Sequence, residues 1–141
     1  MSWDSYITNV MANDFVMDCA IVGLEPPSIW ASQSGGKLAN LTAAEMKSLA
    51  GNQTSRQSFM AGGLTLAGVK CTVLRDQLDV DGSYCMDIRT KSSETEPDTF
   101  SICIAKSNKA LVIVKAKKDV HGGKVNKVAF DMAKYLRDSS Y

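Results

Sequence analysis

The sequence has no CxxC pair and only one histidine, His121. Its four cysteines, Cys19, Cys71, Cys85 and Cys103, are widely spaced, which excludes the usual zinc arrangements and predicts free, mostly buried thiols. Phosphate-loop and hydrolase signatures are missing as well. There is no Gx4GK[ST], no HExxH and no GxSxG, and the carboxylates are scattered without an acid/base pair, so no enzyme mechanism can be built from these parts. Asp76, Asp79, Asp81 and Asp87 lack the spacing and closing glutamate of a calcium loop and read as hairpin-turn residues. No apolar run approaches the roughly 20 residues of a membrane helix. Asp4 and Asp14 stand where a leader would be basic, so a cytosolic protein without stable membrane insertion is expected. The net charge of +1 argues against a general nucleic-acid binder, while leaving room for a local basic patch.

What is present fits one domain spanning residues 1–141, with 45% hydrophobic and 22% charged residues. At this length about 68 to 70% of the unfolded surface can be buried without a staple. The final stretch, residues 120–141, is the most informative. After Gly122 and Gly123, the residues Val125, Val128, Ala129, Met132, Ala133 and Leu136 recur at helical offsets and form a core-facing stripe. Lys124, Lys127, Asp131, Lys134 and Asp138 fall on the opposite side, with Asn126 and Phe130 bordering one edge of the stripe and Tyr135 the other. A first helix carries Trp3, Tyr6, Ile7, Val10 and Met11 at helical spacing, with Ser2 as its N-cap and Asp4 in its first turn. Too short to be stable alone, it is expected to pack beside the last helix.

Between these helices, residues 19–24 read as a buried strand closed by Glu25, Pro26 and Pro27, and strand character resumes at residues 29–32. A loop at Ser34, Gly35 and Gly36 precedes a Thr42/Glu45 capping box that opens a short helix, stopped by Gly51. From Phe59 onward the period changes to two: Val69, Cys71 and Val73, then Tyr84, Met86 and Ile88, then Phe100, Ile102 and Ile104 alternate with their neighbours. Residues 110–114 are apolar throughout, as befits a central strand covered on both faces. Asp81–Gly82 and Ser107–Asn108 mark hairpins, so these strands should pair antiparallel in sequence order. The acidic segment 92–98 reads as a solvated loop. The fold class expected is α+β: an antiparallel sheet of five or more strands, with the first and last helices on one face and a short helix on the other.

His121 before two glycines at a helix start offers, at most, a weak anion site; a plain turn explains it as well. The aromatic distribution is more telling. Trp3, Tyr6, Tyr135 and Tyr141 lie in the two terminal elements. Pattern alone leaves two readings open: core packing, or a groove whose indole and phenol donors bind a preformed proline-rich helix.

The order SWDSYI, AIVG, SIWA, GLTLAGVKC leading to RD, MDIRTK and VHGGKVNK resembles the profilin family of the animal type, over the whole length. The resemblance implies a binding protein, not an enzyme, with no cofactor. Its expected activities are binding monomeric actin, promoting actin nucleotide exchange and regulating filament assembly. It further implies docking of proline-rich assembly factors through a separate groove formed by Trp3, Tyr6, Trp30, Tyr135, Leu136 and Tyr141. The matching actin face is Lys70, Thr72, Leu74, Arg75, Arg89, Lys91, Thr99, Ser101, His121, Gly122, Asn126, Lys127, Phe130 and Asp131. Phosphoinositide binding, through Arg89, Lys91, Lys127 and Arg137, is implied as a competitor for the actin face. An alternative reading is a phosphoinositide-sequestering membrane-signalling regulator with vestigial actin binding.

Overall fold

The computed structural model describes residues 3–141, so the expected Ser2 cap lies outside the described residues. The first helix, α1 (Trp3–Met11), buries Ile7 and Val10 and leads into a hairpin of β1 (Val16–Leu24) and β2 (Pro27–Ser32). A short 3₁₀ turn, Lys37–Asn40, precedes α2 (Ala43–Ala50), α3 (Gln53–Arg56) and α4 (Ser58–Gly62). The chain then runs through β3 (Leu64–Leu66), β4 (Val69–Gln77), β5 (Cys85–Thr90), β6 (Ser101–Lys106) and β7 (Ala110–Ala116), and ends on α5 (Gly122–Asp138). The seven strands form one antiparallel sheet in the order β2-β1-β7-β6-β5-β4-β3.

The expected pairing in sequence order holds from β3 to β7, and β7 is buried throughout. The first hairpin, however, adds to the far side of β7 through β1, so the strand that starts the sheet lies next to the one that ends it. That closure brings α1 and α5 to the same face, where Ile7 and Val10 join Val125, Ala129, Met132, Ala133 and Leu136 over β1, β6 and β7. On the other face Met46 and Leu49 of α2, with Leu38 and Leu41, cover Val22, Met86, Ile104 and Ile113.

The Thr42/Glu45 capping box is present in both directions. Glu45 also accepts from the amides of Ala67 and Gly68 at 2.8 and 3.0 Å, tying α2 to the β3–β4 turn. Gly51 ends α2 in an extended conformation (φ −69°, ψ 176°) rather than a left-handed one, so its stop does not depend on glycine's positive φ. One expectation is corrected. The two-residue period does not begin at Phe59, which lies in α4, but at Leu64. The helices α3 and α4 are one turn each, too short for a 3.6-residue pattern to register.

The aspartates set aside as turn residues are partly structural. The Arg56 guanidinium, 1% exposed, bonds Asp76 at 2.9 Å and Asp79 at 2.8 Å and donates to the Gly51 carbonyl, pinning α3 to the end of β4. The acidic loop is tethered rather than simply solvated: Glu96 pairs with Lys37, and Asp98 with Lys118 at 3.3 Å. All four cysteines are buried free thiols, as expected. Burial pushes Cys19 up to about 12 and Cys71 up to about 11, so neither carries appreciable thiolate near neutral pH.

Candidate functional sites

Two surfaces collect the predicted residues. The first lies where α1, α5 and β2 converge. Trp3 is the hub: its ring centroid is 4.7 Å from Trp30, 5.3 Å from Tyr6 and 5.1 Å from Tyr141, the last in a T-shaped arrangement. Tyr6 continues the row to Tyr135 at 5.9 Å. Such spacings are those of favourable aromatic pairs. The rings are not sealed inside, since Tyr135 and Tyr141 are 48% and 43% exposed. Packed flanks with open faces make a shallow aromatic strip rather than a core.

The local sequence explains the strip. Trp3 and Tyr6 lie three residues apart on one side of α1, and Tyr135 is carried by the last turns of α5. Trp30 projects from β2 across the hairpin onto β1, where a Cβ at Gly23 would collide with its indole ring. Glycine is needed there for close approach. Tyr141 is fixed by its backbone: its amide donates to the Leu136 carbonyl at 2.7 Å, and its own carbonyl accepts from the Ser107 hydroxyl at 2.8 Å and from the Lys109 amide. Partial burial, and then the neighbouring Tyr135, raise the Tyr6 phenol above its ordinary value, so it stays a neutral donor across the physiological range. Leu136 is corrected: it is fully buried, and it supports the strip from below rather than lining it. The signals that sequence reasoning missed are Gly23 and Ser107, whose partners lie across a hairpin and 34 residues away, respectively.

The second surface lies on the α5 side of the sheet, where β4 and β5 run out from beneath the helix. Lys70, Thr72 and Leu74 alternate with buried Cys71 and Val73, and Leu74 is 58% exposed. Thr72 stands opposite Arg89, and Arg89 opposite Ser101. The Arg89 guanidinium donates to Thr99 Oγ1 at 3.0 Å and to Ser101 Oγ at 2.9 Å. Ser101 in turn lies against Gly122. Ser101 is itself buried, so it orients Arg89 rather than presenting its own hydroxyl. Asp87 joins the strands to the helix, pairing with Arg75 at 2.8 Å and accepting from Asn126 Nδ2 at 2.8 Å. Half-buried Phe130 packs at the border of the core, Lys127 pairs with Asp131 at 3.0 Å, and the Lys91 amide donates to the Lys70 carbonyl at 2.8 Å. These residues make one contiguous mixed surface. His121 caps α5 by accepting the Gly123 amide at 3.0 Å, which uses an amide that an anion would have needed.

Of the four residues expected to form a lipid-binding basic patch, Arg137 is set apart from the others. Arg137 lies ten residues beyond Lys127 on α5, about 15 Å along the helix. Its guanidinium stacks over Tyr84 at 4.3 Å and donates to the Lys106 carbonyl. Packing of α5 over the β5–β6 end of the sheet therefore engages this cation. Among the described residues no cluster of ligands could hold a metal, and no helix is long and apolar enough to cross a membrane.

An antiparallel sheet with both terminal helices on one face, an open aromatic strip where they converge and a second polar surface at the start of α5 define a small protein-binding module. A family model described as profilin matches residues 1–141, and the chain belongs to the profilin family. It is 46% identical to human Profilin-1 over 140 residues, covering 99% of this chain and 98% of that one. To rat Profilin-2 it is 44% identical, with the same coverage. Among solved structures, mouse Profilin IIa, in complex with a double repeat from the FH1 domain of mDia1, superposes with a TM-score of 0.93 at 42% identity, covering 100% of both chains.

Proposed function

We propose that this chain, acting as a single unit over residues 1–141, is a two-site adaptor. It binds monomeric actin through the β4, β5 and α5 surface and docks proline-rich assembly factors on the aromatic strip. Through the first site it promotes actin nucleotide exchange and regulates filament assembly. It works in the cytoplasm as a binding protein and not as an enzyme. The observation that carries the reading is the aromatic strip: Trp3 touches three other rings while Tyr135 and Tyr141 keep open faces. Mutually tilted rings that carry phenol and indole donors suit a polyproline II ligand, which is preformed, stacks its pyrrolidines on aromatics and offers unbonded carbonyls. The mouse relative solved in complex with a double repeat from the FH1 domain of mDia1 supports a peptide-docking role for this fold.

The actin reading is supported by family membership and by the character of the second surface. An exposed leucine and a half-buried phenylalanine among lysines and arginines give a partner both apolar anchors and a complement for acidic groups. The two surfaces lie at opposite ends of α5, with Tyr135 at one and His121 at the other, so both ligands can be held at once. The test is a pair of measurements on one preparation: retention on poly-L-proline, and the rate of nucleotide release from monomeric actin. Retention with no effect on actin nucleotide release would remove the actin half of the proposal, and the converse would remove the proline half.

A further inference from the structure

A cavity of about 590 Å³ lies between α1 and α5, beyond the aromatic strip. It is continuous with the strip, because Tyr6 and Tyr135, which end the row of rings, also line the cavity. Its apolar lining includes Val10 and Met132, both buried in the core. Polar groups line it as well. Asn9 is exposed and its amide has no partner among the described residues, and Asn13 spends its NH₂ on the Val10 carbonyl at 2.9 Å, leaving its oxygen unengaged. Among the described residues the only charged one in the lining is Asp131. One carboxylate oxygen of Asp131 meets Lys127 at 3.0 Å, and the other has no partner among the described residues.

From Tyr6 to Val10 is about 6 Å along α1, with Asn13 just past the end of the helix, room for about two residues or more of an extended segment rising near 3.1 Å each. We propose that this cavity takes the residues flanking the proline core of a ligand seated on the aromatic strip, and that it favours a flank bearing lysine or arginine. Asn9 and Asn13 match the peptide groups of the flank, the apolar lining takes its side-chain stems, and Asp131 meets its cation. The inference rests on the proline-site reading, and it names which proline-rich partners that site prefers.

The test is titration of the full chain with a ten-proline peptide and with the same core extended at either end by three residues carrying a lysine, a serine or a glutamate. At one end the lysine flank is expected to tighten binding by about two- to fivefold over the serine flank, the range of an exposed charge pair, and the glutamate flank to weaken it. Asn9→Ala should reduce the gain from any flank while leaving affinity for the bare core unchanged. Asp131→Asn should level the lysine and glutamate flanks. Equal affinity for all flanks at both ends, or an undiminished gain in both variants, would overturn the cavity's role while leaving the proline site intact. Failure of the bare core to bind would sink the proline-site reading and this inference with it.

Discussion

The hydroxyl of Ser107, at the tip of the β6–β7 hairpin, donates to the carbonyl of Tyr141 at 2.8 Å, so a buried turn residue holds the last ring of the aromatic strip in place. The same oxygen accepts the Ala110 amide at 3.1 Å. Replacing Ser107 by alanine should therefore lower stability by about 1 kcal/mol and, separately, weaken proline-peptide binding, because Tyr141 loses a backbone anchor. Ser107→Thr keeps the hydroxyl and should restore affinity. Peptide titration of both variants, beside thermal melts, distinguishes the effects. Unchanged affinity in Ser107→Ala would mean that the aromatic contacts of Tyr141 and its backbone bonds with Leu136 and Lys109 suffice to hold the ring.

Gly23 and Trp30 make a sharper case. A methyl group at position 23 would meet the indole nitrogen and ring carbons of Trp30, and the flat ring has no flexible end to yield. Gly23→Ala is expected to move Trp30 off Trp3, now 4.7 Å away, and to reduce affinity for a proline peptide by roughly three- to tenfold, the worth of one aromatic pair. Actin binding, proposed for the surface at the other end of α5, should be untouched. A crystal structure or tryptophan fluorescence of the variant would show whether the ring has moved.

The separation of the two surfaces predicts a crossed pattern of losses. Trp3→Ala removes the hub of three ring contacts and should abolish retention on poly-L-proline while sparing actin. Lys127→Glu reverses an exposed charge beside Asp131 and should weaken actin binding by at least tenfold while sparing proline retention, since two like charges side by side and a repelled partner both act against it. Circular dichroism establishes that each variant is folded. Impairment of both ligands by both changes would mean that the sites are not independent.

Much of this was legible because it is local. The stripe from Val125 to Leu136, the period of two in β4 to β6 and the Thr42/Glu45 box all operate within a few residues, where sequence spacing reports geometry directly. What was not legible depends on contacts between distant segments. The helices around Phe59 are single turns held by packing, so no periodicity announces them. No local spacing links Arg56 to Asp76 and Asp79, which lie 20 and 23 residues away and meet it only in the fold. The family resemblance placed Leu136 in the ligand groove, yet α5 turns it fully into the core, as its helical spacing implied. The same limit applies to Arg137: spacing along a helix does not say that Tyr84 and the Lys106 carbonyl will hold the guanidinium.

Glu45 ties acid sensitivity to one side chain. Burial opposes ionisation of its carboxyl, but the amide donors of Thr42 and Gly68, with further bonds from Thr65 and Ala67, outweigh that and lower its pKa. A carboxylate with a depressed folded pKa adds stability above its unfolded value of about 4.3 and loses it as pH falls through the lower folded value. Glu45→Ala should thus be less stable by about 1–2 kcal/mol at neutral pH, the worth of a cap plus a loop bond. The difference should close at pH values below the usual carboxylate range. Urea titrations of both proteins from pH 7 to pH 3 measure it; a constant gap across that span would assign the loss to packing rather than to charge.

Arg56 is the residue whose loss should be felt most in stability and least in binding. Its side chain is 1% exposed, and it neutralises Asp76, 8% exposed, and Asp79, which Lys106 also meets at 2.9 Å. Arg56→Met leaves Asp76 as a buried carboxylate whose only other hydrogen bond among the described residues comes from the Leu78 amide at 3.1 Å. Removing one partner of a buried pair in this way costs about 3–5 kcal/mol. Adding Asp76→Asn removes the stranded charge and should recover a substantial part, because residues in one network do not contribute additively. Denaturant midpoints for the single and double variants give the coupling directly. Proline and actin binding of the folded fraction should be unchanged, since neither surface includes this cluster. A single variant as stable as the parent would mean that water reaches Asp76 and that the pair fixes the α3 turn without stabilising it.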